Sequence, residues 1–184
     1  MGDAPILTVF GGSAPQPGSE PYQQAARLGE LAAGAGWWVA TGGYGGTMEA
    51  VSRGASGAGG EVIGVTCDQI ENWRDVRPNR WVRREVRCET LRERLYRLIE
   101  LGDALIALPG GVGTLSEVAL SWSLLQTAEL SARPLVLVGD RWRRTVDTYG
   151  DQASGYLRRD DLELLALVPG VEAAFDMAQA GIEA

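Results

Sequence analysis

Three features of the sequence predict a single doubly wound α/β domain with a mainly parallel sheet flanked by helices. Short, continuously apolar runs alternate with amphipathic segments, the pattern of a sheet covered on both faces. Glycine-rich turns follow three of those runs, where a strand would pass into a helix. No linker, repeat or low-complexity tract divides residues 1–184, a length that suits one domain around one core.

In chain order, a strand is expected over residues 5–10. A loop marked by Pro15, Pro17, Gly18 and Pro21 leads to a helix over about 20–35, with Ala25, Leu28 and Ala32 at helical spacing. Trp37-Trp38-Val39-Ala40 reads as the second strand, and a helix over about 46–58 stops at Gly59-Gly60. Val62-Ile63-Gly64-Val65 is the third strand. Residues 67–81 lack periodicity, contain Pro78 and read as a loop, with a short strand from Trp81-Val82 to Val86. A helix over about 89–101 would turn Leu91, Leu95, Leu98 and Ile99 inward, before a strand at 104–108 and a helix at 113–127. Pro134-Leu135-Val136-Leu137-Val138 is the next strand. A helix near 141–153, a strand near 163–168 and a helix from Pro169 complete the pattern.

Composition excludes several chemistries. There is no histidine, and all 17 basic residues are arginine. The chain therefore has no lysine for a Schiff base or a Walker-type phosphate loop, no Ser-His-Asp triad and no His-ligated zinc. Any catalysis falls to carboxylates, arginines, hydroxyls and backbone dipoles, with no metal and no cofactor expected. A net charge of −7 argues against nucleic acid as a partner. Nine arginines between Arg74 and Arg97 are interleaved with acids such as Asp75, Glu85, Glu89 and Glu93, and most read as a solvated, salt-bridged face. No apolar run approaches the ~18 residues of a membrane span. Met1-Gly2-Asp3 leads straight into a strand without a signal-like region, and Cys67 and Cys88 suit reduced thiols, so the expected location is cytoplasmic.

The chemistry concentrates in the glycine turns. Pro109-Gly110-Gly111-Val112-Gly113-Thr114-Leu115-Ser116-Glu117 follows the strand Ala104–Leu108 and opens a helix. A strand, glycines and a helix start present backbone N–H groups and a positive helix end to an anion. Two further turns follow strands, at Gly11-Gly12-Ser13-Ala14 and at Thr41-Gly42-Gly43-Tyr44-Gly45-Gly46-Thr47-Met48-Glu49. The phosphate-binding candidates are Gly12, Ser13, Gly43, Gly45, Gly46, Thr47, Gly110, Gly111, Gly113 and Thr114, where Thr114 either caps the helix or bonds a phosphate oxygen. A carboxylate at Glu117 is out of place in a pure phosphate site because it repels the anion, and so it points to chemistry beside the phosphate.

The nine residues Pro109–Glu117 match PGGxGTxxE, the signature of the LOG (Lonely Guy) family, and the resemblance extends from Val9 to about Val138. LOG proteins were long labelled lysine decarboxylases. The better-characterised members are cytokinin riboside 5′-monophosphate phosphoribohydrolases, Rossmann-like and usually dimeric, which cleave the bond between base and ribose 5-phosphate. The missing lysine independently contradicts the decarboxylase label. The family pairs its motif Glu with an Arg on the preceding helix, and counting back from Asp103–Leu108 the matching residue is Arg94, followed here by Leu95. The resemblance implies that Glu117 and Arg94 are catalytic. Glu117 would stabilise an oxocarbenium-like state and orient water, while Arg94 would either neutralise phosphate charge or help the base depart. Thr41 and Glu49 depart from the family's usual second loop and resemble a branch that includes molybdenum-cofactor carrier proteins. The expected activity is hydrolysis of a nucleoside 5′-monophosphate; the alternative is non-catalytic binding of a phosphorylated, nucleotide-like cofactor. Apolar positions Leu120, Trp122, Leu124 and Leu125, with the family habit, suggest a homodimer built on the 89–101 and 113–127 helices that brings Arg groups of one subunit near the other's site.

Overall fold

The computed structural model describes residues 4–150 and 155–183. Seven strands form one sheet, in the order β4-β3-β2-β1-β5-β6-β7, and every pair runs parallel. They are β1 (Ile6–Phe10), β2 (Trp38–Thr41), β3 (Val62–Cys67), β4 (Arg84–Cys88), β5 (Ala104–Ala107), β6 (Leu135–Val138) and β7 (Ala166–Val168). The helices are α1 (Glu20–Gly34), α2 (Thr47–Gly57), α3 (Asp68–Arg74), α4 (Leu91–Leu101), α5 (Val112–Gln126), α6 (Asp140–Tyr149), α7 (Arg159–Glu163) and α8 (Val171–Glu183).

Strand alternation divides the core into two layers. Leu7, Val9, Ala104 and Ile106 face the side covered by α1, α2 and α8, with Leu28, Val51 and Phe175. Phe10, Leu105 and Ala107 face the other side, with Leu98, Ile99 and Trp142. Successive strand residues point to opposite faces, so apolar runs without polar breaks are what a doubly covered sheet demands. The α1–α2 contact is unusually close. A Cβ on Gly29 would overlap the Val51 carbonyl, and one on Gly54 would overlap that of Ala26.

Four expectations change. Residues 68–74 form α3 rather than loop; its one buried residue is Glu71, so no apolar stripe advertises the helix. The short strand expected from 81 sits at Arg84–Cys88, on the sheet edge, because Val82 and Asn79 close a turn before the pairing of Ile63 with Arg84 begins. α7 occupies 159–163, which delays the last strand to Ala166. Leu91, expected to face inward, is 51% exposed at the start of α4, while Leu98 and Ile99 are buried as expected. Residues 151–153 of the helix expected near 141–153 lie outside the described residues.

Candidate functional site

The chain runs outward from β1 to β4, then crosses back to β5 beside β1, so strand order reverses between β1 and β5. Ligands of open parallel sheets bind beyond the strand carboxyl ends at such a reversal. The loops after β1, β2 and β5 meet there. Gly12 N–H donates to Pro109 O at 3.3 Å, and Thr47 N–H donates to Gly12 O at 2.9 Å. Gly46 has φ +69°, and a Cβ there would lie 2.5 Å from the Ser13 carbonyl carbon, so only glycine lets the second loop close on the first.

This interlock sorts the phosphate-binding candidates. The N–H groups of Gly12 and Thr47 are spent on joining loops, and that of Gly43 is spent on Thr41 Oγ1 at 3.1 Å. Gly110 packs its Cα face against the Thr114 side chain, and Ser13 is exposed beside Gly46. Gly45 lies at the turn into α2. The N-cap of α5 is Gly111, without a side-chain bond, so Thr114 is not the cap. The first turn of α5 holds no acid, which places Glu117 beyond the region where a carboxylate serves the helix dipole. The first intrahelical bond of α5 runs from Leu115 N–H to Gly111 O at 3.0 Å, leaving the N–H groups of Val112, Gly113 and Thr114 at the open helix end. A Cβ on Gly111 or Gly113 would meet open space, so nothing in the chain itself requires glycine at either position.

Arg94 is not an exposed helix-surface partner. It is 6% exposed, and its guanidinium crosses the carboxyl ends of β3 and β2. Nε donates to Val65 O at 2.8 Å and Nη2 to Gly42 O at 3.1 Å, with the guanidinium 5.7 Å from the Tyr44 ring centre. A Cβ on Gly42 would overlap that guanidinium. A buried cation without an ion-pair partner is costly unless its N–H groups are satisfied, and the two carbonyls do this in part. Glu117, on α5, is 8% exposed, and no protein donor bonds its carboxylate among the described residues. Burial pushes its carboxyl up to about 7, with the nearby Arg94 charge pulling the other way. The two residues singled out in the sequence as catalytic are thus buried and within electrostatic reach of each other, and neither is in an ion pair among the described residues.

Three supporting residues escaped the sequence reading. Asn79 clamps the second loop: its N–H donates to Gly43 O at 2.7 Å, and its Nδ2 donates to Gly43 O and Tyr44 O at 3.0 Å each. The Tyr44 hydroxyl accepts from Cys67 N–H at 2.8 Å. Trp142 Nε1 donates to Leu108 O at 3.2 Å, immediately before the third loop. Of these, Asn79 alone left a local signal, as a turn-forming residue after Pro78 in an aperiodic stretch. Within the Arg74–Arg97 cluster, ion pairs to Glu61, Glu71 and Glu100 bear out the solvated-face reading for Arg84, Arg87 and Arg97. Glu49 does not join Glu117. It lies half-buried in the first turn of α2 and lines a groove with Gly45, Arg77, Asn79, Arg80 and Trp81.

A seven-stranded parallel sheet with glycine loops gathered at its switch point defines a Rossmann-like α/β protein. The chain belongs to the SLOG cluster4 family, whose family model matches residues 4–139. It is 31% identical over 174 residues to a cytokinin riboside 5′-monophosphate phosphoribohydrolase of Mycobacterium tuberculosis, covering 85% of this chain and 84% of that one. It is 34% identical over 137 residues to a protein of the same name from Rhodococcoides fascians, covering 73% and 67%. Among solved structures, the molybdenum cofactor binding protein from the phototrophic bacterium Rippkaea orientalis superposes with a TM-score of 0.73 at 25% identity, covering 97% of each chain. The LOG resemblance and its carrier branch, both read from the sequence, are thereby shown.

Proposed function

We propose that the protein is a nucleoside 5′-monophosphate phosphoribohydrolase of the cytokinin-riboside-monophosphate type. The observation that carries this is Glu117, a buried carboxyl without a hydrogen-bond partner among the described residues, its pKa raised to about 7 by burial within reach of the buried Arg94. In the reaction the C1′–N bond breaks with its electron pair going to the base, and water adds its oxygen to C1′. Glu117 as carboxylate stabilises the oxocarbenium-like state and takes the proton of the attacking water, which then goes to the departing base. The open N-terminus of α5, with Gly111, Gly113 and the Thr114 hydroxyl, holds the 5′-phosphate and so positions the sugar. Arg94 offsets negative charge between phosphate and Glu117.

Glu117→Gln should leave the fold intact and abolish release of adenine from AMP, and AMP should bind orders of magnitude more tightly than adenosine. Free base and ribose 5-phosphate measured in the steady state, with calorimetric titration of both ligands, test the two statements. Undiminished turnover in the variant, or equal affinity for the two ligands, would refute the assignment. A carrier of a phosphorylated, nucleotide-like cofactor is the second reading, favoured by full-length likeness to the molybdenum cofactor binding protein. Tight AMP binding without any base release from the unaltered protein would select it. Under either reading the protein acts as a homodimer in the cytoplasm, a setting that the two free thiols Cys67 and Cys88 suit.

A further inference from the structure

A groove outside the crevice gathers charged residues that neither the core nor the proposed reaction uses. Its main part, about 960 Å³, lies between α1 and α2, with Tyr22, Arg27, Arg53, Arg80 and Trp81 on its walls. A second part, about 440 Å³, shares Arg80 and Trp81 and reaches Gly45, Glu49 and Arg77. No residue of α4, α5 or the loop after β5 lines either part, so Glu117 and Arg94 are not on its walls, although its second part borders the loop after β2 at Gly45. The floor is small, with Ala26, Gly54, Gly57 and Ala58 where the two helices pack closely.

Its charge runs against that of the molecule. Four arginines face two carboxylates, Glu30 and Glu49, on a chain of net charge −7. Arg27 is engaged by Glu30 and Glu172 at 3.5 Å each, and Arg77 by Glu71 and Asp75 at 3.9 and 4.0 Å. Arg53 and Arg80 have no carboxylate partner among the described residues. Arg80 is held in place by the Trp81 ring, its guanidinium 4.4 Å from the ring centre. Arg53 lines the same wall as the buried Tyr22. Two guanidinium groups on one concave wall, one of them stacked on an indole and neither in an ion pair among the described residues, offer the N–H donors that bind phosphate oxygens.

We propose that this groove is a second anion site, separate from the Glu117 crevice, that takes a small phosphomonoester between Arg53 and Arg80. Glu49, at the end toward the second loop, limits the charge the groove accepts and favours one phosphate over a chain of three. Asn79 borders the groove and clamps the second loop, so an occupant there lies against the element that closes the crevice.

Binding is best read in the Glu117→Gln protein, where turnover cannot deplete the ligand. Equilibrium dialysis with ribose 5-phosphate, AMP and inorganic phosphate, together with the Trp81 indole N–H resonance, follows the site directly. The resonance should shift with each phosphate compound and not with adenosine. Adding Arg53→Ala and Arg80→Ala should remove one binding event per chain or weaken it about tenfold or more. Both arginines are exposed, so the thermal melt should stay unchanged. Equal dialysis curves with and without the two arginines, a silent Trp81 at saturation, or an equal shift with adenosine would each overturn the proposal. None of these outcomes depends on whether the protein hydrolyses nucleotides.

Discussion

Glu117 combines a stability cost with a functional opportunity. Its carboxyl, ordinarily near 4.5, is held at about 7, chiefly by burial. The folded protein therefore binds this proton more tightly than the unfolded chain does. The resulting stability is complete below about 4.5 and is lost as pH rises through about 7. The difference corresponds to roughly 3 kcal/mol at most. Glu117→Gln should thus raise the melting temperature at pH 8 and give little gain near pH 4.5, as thermal melts across that range would show. An equal gain at both ends would contradict the buried, unpaired geometry. Because hydrolysis needs the ionised form, kcat/KM for AMP should rise with pH on a limb centred near 7. A profile flat between pH 5.5 and 8 would exclude Glu117 as the base. Glu117 and Arg94 stood out in the sequence as candidates, the first from its misfit in a phosphate loop and the second from the resemblance. Asn79 showed only as a turn-former after Pro78; its clamping role had no local signal, because its partners are carbonyls 35 and 36 residues away.

Loops and helices divide the same way. The glycine turns were visible because they interrupt apolar strands, but two kinds of glycine could not be told apart. Gly42 makes room within the protein itself, since any Cβ there pushes the Arg94 guanidinium aside. Gly111 faces open space in an extended conformation that alanine tolerates, with φ −94°. Gly42→Ala should displace Arg94, lower stability by about 1–3 kcal/mol and remove activity. Gly111→Ala should change stability by less than about 0.5 kcal/mol while weakening AMP binding. Chemical denaturation and calorimetry of the two variants make the comparison, and equal destabilisation would erase the distinction. α3 and α7 escaped notice because they are short and bury one acid each, Glu71 and Asp161, rather than an apolar stripe.

For the whole molecule, the apolar positions first associated with a partner turn inward. Leu120, Trp122 and Leu124 pack against the core, Leu125 is buried, and Trp122 Nε1 donates to Asp161 O at 2.6 Å. The exposed apolar side chains on the two helices in question are instead Leu91 and Tyr96 on α4 and Val112 and Leu115 on α5. A homodimer through α4 and α5 remains our expectation, now resting on these residues, two of them at the helix end that faces the crevice. Light scattering at micromolar concentration should give twice the chain mass of 19.7 kDa, and Leu115→Asp should halve it. A wild-type mass equal to one chain would refute the dimer.

What the sequence determined by itself was the alternation of strand and helix, the glycine turns at strand ends and an inventory of ionisable residues without lysine or histidine. Each follows from local periodicity or from residue inventory, which need no neighbour in space. Tertiary structure alone decided which loop N–H groups are spent on one another, that Arg94 lies buried across two strand ends, and that Glu49 lines a groove with Arg77 and Arg80. Those outcomes depend on contacts between segments tens of residues apart, such as Thr47 with Gly12 and Arg94 with Gly42. Chain spacing carries no record of them, because the sheet order that brings these segments together reverses between β1 and β5.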